Sequence, residues 1–168
     1  MKNSNLITAR LLLAGISIVF CCTLLHAQSP LKTRNIAEQW VSLLNAHDSA
    51  GLPFLYADTA KLRSPNWEGA KSGMAEIKTI YSRYFSSTPD LQHRIDRITC
   101  NDSSVTVEYH FYGTLSNPEA GGPSYMKGKS YYLNACTVMI IRKGKITSQQ
   151  TYFDQVAFLR QVGFFDQQ

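Results

Sequence analysis

An α+β fold, with helices packed on one side of an antiparallel sheet, is what the order of elements in this chain predicts. Two observations carry it. Apolar residues recur at helical spacing over residues 33–46 and 73–85, and from residue 91 onward they alternate in the period of strands. A third concerns the end of the chain, where two β-type runs flank Lys143-Gly144-Lys145 and lead through Tyr152-Phe153-Asp154 into a short apolar helix.

Taken in order, Ile36, Ala37, Trp40, Val41, Leu43 and Leu44 form the stripe of the first helix, which Asn45, His47 and Asp48 end. Gly51-Leu52-Pro53 opens a short helical turn reaching Tyr56, and residues 58–63 read as a brief strand. Ser64-Pro65-Asn66-Trp67-Glu68-Gly69 is loop chemistry. Met74, Ile77, Ile80, Tyr81, Tyr84 and Phe85 stripe the next helix, which Ser86-Ser87-Thr88-Pro89 ends. Strands follow over residues 91–100 and 105–115, joined by an Asn101-Asp102 turn. In the second, Val105, Val107, Tyr109 and Phe111 alternate with Thr106, Glu108, His110 and Tyr112. Residues 117–127 are an open Gly/Pro loop. The strand over 131–142 is apolar on both faces, which predicts burial on both sides. The last strand covers 146–152, and the helix at 156–162 stops at Gly163.

The chain has 168 residues, enough for one domain over 28–168 behind a segment that reads as an export signal. In residues 1–27, Lys2 and Arg10 precede a mostly apolar run of about 15 residues, short of the roughly 20 that cross a bilayer. Ala27 offers a cleavage site before Gln28, so a secreted or periplasmic domain without a membrane span is expected. The alternatives are a retained anchor, since Leu25 is bulky, and a lipoprotein through Cys21 or Cys22, which Phe20 disfavours. Removing Lys2 and Arg10 leaves fifteen Lys and Arg against twelve Asp and Glu. No basic cluster runs along an element, which argues against nucleic acid as a partner. Cys100 and Cys136 fall on strands separated by a third, too far apart for a bridge, so two free thiols are expected.

The last hairpin supplies a geometric expectation. A two-residue Lys143-Gly144 turn sets Asp154 opposite Leu133, Tyr152 opposite Ala135, Gln150 opposite Thr137 and Ser148 opposite Met139. That face would carry a polar stripe beside an apolar one, suited to a ligand cavity. A carboxylate held against apolar walls has its charged form disfavoured, which makes Asp154 a candidate general base with Tyr152 or Gln150 holding an oxygen. An Asp just before a helix also serves as an N-cap for the amides of Val156 or Ala157, and the two roles are compatible. Period two turns His110 away from Tyr109 and Phe111, toward an exposed or interface position. His47 and His93 read as surface residues. The three histidines share no ligand spacing, so no metal is expected. Trp40, Tyr56, Tyr81 and Tyr84 read as core aromatics, some near a cavity mouth. Gly128-Lys129-Ser130 opens a strand and lacks the spacing of a phosphate loop, and no dinucleotide fingerprint or nucleophile elbow is present, so no cofactor is expected.

With these elements placed, the chain resembles the SnoaL-like (polyketide-cyclase-like) members of the nuclear transport factor 2-like superfamily over about residues 36–163. The residues that carry the resemblance are Asn45-Ala46-His47-Asp48, Leu55-Tyr56-Ala57-Asp58, Gly73-Met74-Ala75-Glu76-Ile77, Thr88-Pro89-Asp90-Leu91, Gly113-Thr114, Gly144-Lys145-Ile146, Tyr152-Phe153-Asp154 and Gln161-Val162-Gly163. The resemblance implies a cone-shaped half-barrel, cystatin-like in outline, whose curved antiparallel sheet and N-terminal helices enclose one apolar cavity, often in a homodimer. It also implies that an acidic residue near the end of the last strand acts as base in the cyclase-like members. Asp154 matches that position, and His110 is the nearest match to the histidine that accompanies it. The Arg-x-Asp pair of epoxide-hydrolase relatives is replaced by Glu108-x-His110. Three readings follow. The first is a binding domain for a small hydrophobic molecule, contacted by Trp40, Tyr56, Tyr109, Phe111, Leu133, Ala135, Thr137, Met139 and Gln150. The second is a cofactor-independent cyclase, isomerase or dehydratase using Asp154, with Tyr152, Gln150 or Tyr109 at the oxyanion. The third is a dimerisation or interaction module using the outer sheet face around Tyr112, Tyr132 and Val138.

Overall fold

The computed structural model describes residues 29–118 and 123–166. The export-signal reading of residues 1–27, and part of the predicted 117–127 loop, lie outside the described residues. Helix α1 spans Pro30–Asn45, with Ser29 accepting from the Leu31 amide at its N-cap and Pro30 at its first position. A 3₁₀ turn at Leu52–Leu55 leads into β1 (Tyr56–Arg63). A two-residue strand β2 (Lys71–Ser72) then precedes α2 (Met74–Ser87). Strands β3 (Gln92–Cys100), β4 (Ser104–Thr114), β5 (Ser130–Arg142) and β6 (Lys145–Phe153) follow, and α3 (Gln155–Gln161) closes the domain.

The six strands form one sheet in the order β2-β1-β6-β5-β4-β3. The expected antiparallel meander holds for β3 to β6. The sheet as a whole is mixed, because β1 lies parallel to β6. A strand that enters from the helical layer runs back along the last hairpin, a pairing that local patterning does not reveal. Trp40, Leu44, Ile77, Tyr81 and Phe85 from the two long helices pack onto Val107, Tyr109, Leu133, Met139 and Ile146 of the sheet's inner face. Among the described residues no helix covers the outer face, so the expected two-sided burial of β5 is corrected. Its inner residues are buried, while Cys136, Val138 and Ile140 are half-buried and Tyr132 is exposed. Cys100 and Cys136 are free thiols with β4 between their strands, as expected.

The last hairpin decides what faces the core. Lys143 and Gly144 take left-handed backbone (φ 50° and 74°), and Arg142 opposes Lys145 as predicted. Ile141 opposes Ile146, and then the register slips by one residue, so Ile140 opposes Ser148, Met139 opposes Gln149 and Ala135 opposes Phe153. Thr147 is the extra residue of a β-bulge, its hydroxyl donating to the Ile140 carbonyl at 3.1 Å. A one-residue slip exchanges the faces of everything that follows. Gln149, Thr151 and Phe153 turn inward, while Gln150 and Tyr152 turn out.

Candidate functional site

Between the helices and the inner sheet face lies a cavity of about 490 Å³, within the range of small-molecule sites. Its apolar walls come from Trp40 and Leu44 of α1, Ile80 and Phe85 of α2, Phe111 of β4, Leu133 of β5, Phe153 of β6 and Phe158 of α3. Ser64, Asn66, Trp67, Lys71 and Arg83 also line it, and the exposed side chains of Asn66 and Arg83 mark its mouth. Lys71 is paired with Glu76 at 3.4 Å. None of the described lining residues is an Asp or Glu.

The floor is polar and uncharged. The Trp40 indole donates to the Tyr81 hydroxyl (3.2 Å), Tyr81 lies 3.0 Å from the Tyr56 hydroxyl, and Tyr56 donates to Gln149 Oε1 at 2.5 Å. Gln149 Nε2 donates to Tyr81 (3.5 Å) and to Thr151 Oγ1 (3.3 Å). Thr151 meets Thr137 at 2.9 Å, and Thr137 meets Tyr109 at 3.1 Å. Burial pushes the Tyr56, Tyr81 and Tyr109 hydroxyls upward, so all three stay protonated. Neutral groups bonded to one another avoid the desolvation penalty that a buried charge would bring. Tyr81 is the hub. Tyr81→Phe would leave the Trp40 N–H and the Tyr56 oxygen short of partners, and is expected to lower stability by about 1–3 kcal/mol in urea unfolding.

His93 borders the cavity as well. It is 7% exposed, opposes Phe111 across β3–β4 and stacks on it at 5.7 Å, and its Nδ1 is buried without a partner. Burial, with the nearby His47 charge, lowers its pKa from 6.5 to about 4, so it is neutral at pH 7. The surface expectation for His93 is therefore corrected. That for His47 is corrected too: it is half-buried, stacked on Phe85 at 4.7 Å, with Nε2 2.8 Å from the Leu91 carbonyl.

The predicted site residues divide into three groups. Trp40, Tyr109, Phe111 and Leu133 line the cavity. Tyr56 and Thr137 stand behind the wall, holding the polar floor, while Ala135 and Met139 are buried core on the same inner face. Gln150, Tyr152 and Asp154 do not face the cavity, and the Thr147 bulge is the reason. Gln150 opposes Val138 and Tyr152 opposes Cys136 on the outer face, with Tyr152 56% exposed. Asp154 is exposed and caps α3, Oδ1 accepting from the Ala157 amide at 2.9 Å. Asp154→Ala is expected to cost about 1 kcal/mol of thermal stability as a lost cap and to leave ligand affinity unchanged. His110 lies on the outer face as predicted, its Nδ1 2.9 Å from Asp96 Oδ1 and its ring stacked on Tyr132 at 5.1 Å. Glu108 pairs there with Arg97. The inward residues that simple alternation hides are Gln149, Thr151 and Phe153. The signal for them is that Ile146 and Phe153 are an odd number of residues apart, so both can pack inward only across a bulge.

Comparison with known proteins agrees with this architecture. Three solved structures superpose on most of the chain. They are the candidate hydroxylase AclR from Streptomyces galilaeus (16% identity, TM-score 0.69, 81% of this chain and 98% of that one), a candidate polyketide cyclase from Xanthomonas campestris (19%, 0.68, 79% and 98%), and a protein of ketosteroid isomerase-like fold from Catenulispora acidiphila in complex with trimethylamine (18%, 0.66, 78% and 94%). At these identities the likeness establishes the nuclear transport factor 2-like fold. No curated protein matches the chain. The model of the SnoaL-like domain matches residues 37–149, which runs from α1 to the inward-facing Gln149. The chain therefore belongs to the SnoaL-like family.

Proposed function

We propose that this domain binds a small, largely apolar molecule in the cavity between its helices and the inner sheet face. The observation that carries the reading is the pairing of aromatic walls with a buried, uncharged hydrogen-bonded floor and no carboxylate among the described lining residues. Such a site can hold an oily skeleton and satisfy a polar atom on it, but it lacks the carboxylate that a proton-abstracting enzyme of this family would use. This favours binding over cyclase-, isomerase- or dehydratase-type catalysis.

N-phenyl-1-naphthylamine, a neutral apolar dye, is expected to bind with a rise in fluorescence. Leu133→Trp, which pushes a large side chain into the cavity, is expected to weaken that binding about tenfold or more while circular dichroism stays native. Equal affinity for the two proteins would remove the cavity reading.

The proposal extends to export through cleavage after Ala27, which N-terminal sequencing of the secreted protein checks. No helix among the described residues is long and apolar enough to cross a membrane. It extends also to a homodimer through the uncovered sheet face. There Tyr112 and Tyr132 stack at 6.2 Å beside His110, and Tyr132 and Tyr152 are more than half exposed. Light scattering on Tyr132→Glu against wild type tests that.

A further inference from the structure

Part of the cavity is walled by aromatic rings that meet at right angles. Phe111 of β4, Tyr131 of β5, Phe153 at the end of β6 and Phe158 of α3 all line it. The Phe111 ring stands at 73° to Tyr131 and at 83° to Phe153, with centroids 6.0 Å and 5.8 Å apart. Tyr131 stands at 80° to Phe158, with centroids 5.4 Å apart. Rings that meet in this way around one space make the adjacent walls of a box. An aromatic ring is negative on its faces and positive at its edge, so such a box attracts a cation.

The charges around the box agree. His93, which stacks on Phe111 at 5.7 Å, is neutral at pH 7. The Tyr131 hydroxyl is pushed upward by burial and then by the Asp90 charge, so an anion stands behind this wall. Asp90 is ionised at pH 7: desolvation opposes its charge, but the hydrogen bonds from Thr114 outweigh that and lower its pKa. The two cations of the cavity mouth lie elsewhere. Lys71 is on β2, which β1 and β6 separate from β5 in the sheet, and it is paired with Glu76 at 3.4 Å. Arg83 is exposed on α2, where solvent screens it.

The box also limits the kind of cation. A primary ammonium brings three N–H groups that need acceptors once they leave water. Three of the four rings carry no acceptor, and the Tyr131 hydroxyl is turned to Thr88 Oγ1 at 3.2 Å. A quaternary ammonium has no N–H, and its methyl groups pack against ring faces. We infer that the occupant carries a quaternary ammonium group, held between Phe111, Tyr131, Phe153 and Phe158, on an otherwise apolar skeleton. The inference rests on the proposed binding function and deepens it.

The test uses two probes of the same shape, trimethylphenylammonium and tert-butylbenzene, of which one is charged. Each is titrated against N-phenyl-1-naphthylamine bound to the full domain. The ammonium is expected to displace the dye about five- to tenfold more tightly, the ratio that cation–π attraction supplies away from water. Its N-methyl proton resonances are expected to move upfield on binding, because they lie over ring faces. The double variant Phe111→Leu with Phe153→Leu keeps an apolar wall but removes two rings, and is expected to lose the preference. Tert-butylbenzene displacing the dye from the wild-type domain as tightly as the ammonium would overturn the inference and leave the binding reading intact. So would a preference that survives in the double variant, or an ammonium that binds without displacing the dye. Failure of the dye and both probes to bind would overturn both. The wild-type comparison needs no variant, so a poorly folded double variant does not rescue the inference.

Discussion

Acidification from pH 7 to about pH 4.5 is expected to remove about 2–3 kcal/mol of folding stability, and His93 is the group responsible. Its imidazole is neutral in the fold because it sits between Tyr109 and Phe111, under the helices, with no acid beside it. Unfolded, it titrates near 6.5; folded, its pKa falls to about 4. Between those values the unfolded chain binds more protons, so stability rises with pH there. The contribution is fully present above 6.5 and is lost as pH falls toward 4. At about 1.4 kcal/mol for each tenfold difference in proton affinity, most of the loss falls above pH 4.5. The carboxylates whose pKa values are lowered in the fold, Glu76 and Asp90, act at more acidic pH, which separates their effect from that of His93. Urea unfolding followed by tryptophan fluorescence reads the effect directly. His93→Asn, which cannot charge, should flatten the stability profile between pH 6.5 and 4.5. An unchanged slope in that variant would assign the acid sensitivity elsewhere.

His93 also marks where reading the chain one strand at a time stops being informative. The periodicities of Trp40, Val41 and Leu44 and of Ile77, Ile80 and Tyr81 place both long helices, and alternation in β4 places Val105, Val107 and Tyr109 inward with His110 outward. Those assignments need nothing beyond a single element. His93 has no such local signature, because a register break between Ile95 and Arg97 interrupts the alternation of β3 and its burial follows from the residue across the ladder, Phe111. The parallel pairing of β1 with β6 is hidden for the same reason: it joins segments far apart in sequence. The clearest case is β6. Continuing the turn's register to the strand end makes Asp154, Tyr152 and Gln150 look like the working face, and one unpaired residue reverses that. The fold was legible because it follows from averages over many residues. The site was not, because its facing depends on Thr147.

A matched pair of deletions in β6 is expected to separate sharply, with loss of Gln150 the damaging one, at about 2–3 kcal/mol. Without Thr147 the pairs Ile141–Ile146 and Ile140–Ser148 become adjacent, so every later residue keeps its partner and its face. The contact of the Thr147 hydroxyl with the Ile140 carbonyl is lost, and deleting Thr147 is expected to fall within about 1 kcal/mol of wild type. Deleting Gln150 has no such harmless outcome. If the strand takes up the slack at the bulge, Thr147 opposes Ile140, Ser148 opposes Met139 on the inner face, and Gln149 turns outward to oppose Val138. Tyr56 then loses the acceptor of its proton and Tyr81 a donor, inside the core. If the bulge stays, Thr151 and Phe153 turn outward instead and leave Thr137 and Phe111. Both variants are one residue shorter, so a large gap between their urea midpoints assigns the cost to the facing of the inward residues. Equal midpoints would mean that β6 tolerates either facing, and the inward set Gln149, Thr151 and Phe153 would lose its claim to define the site.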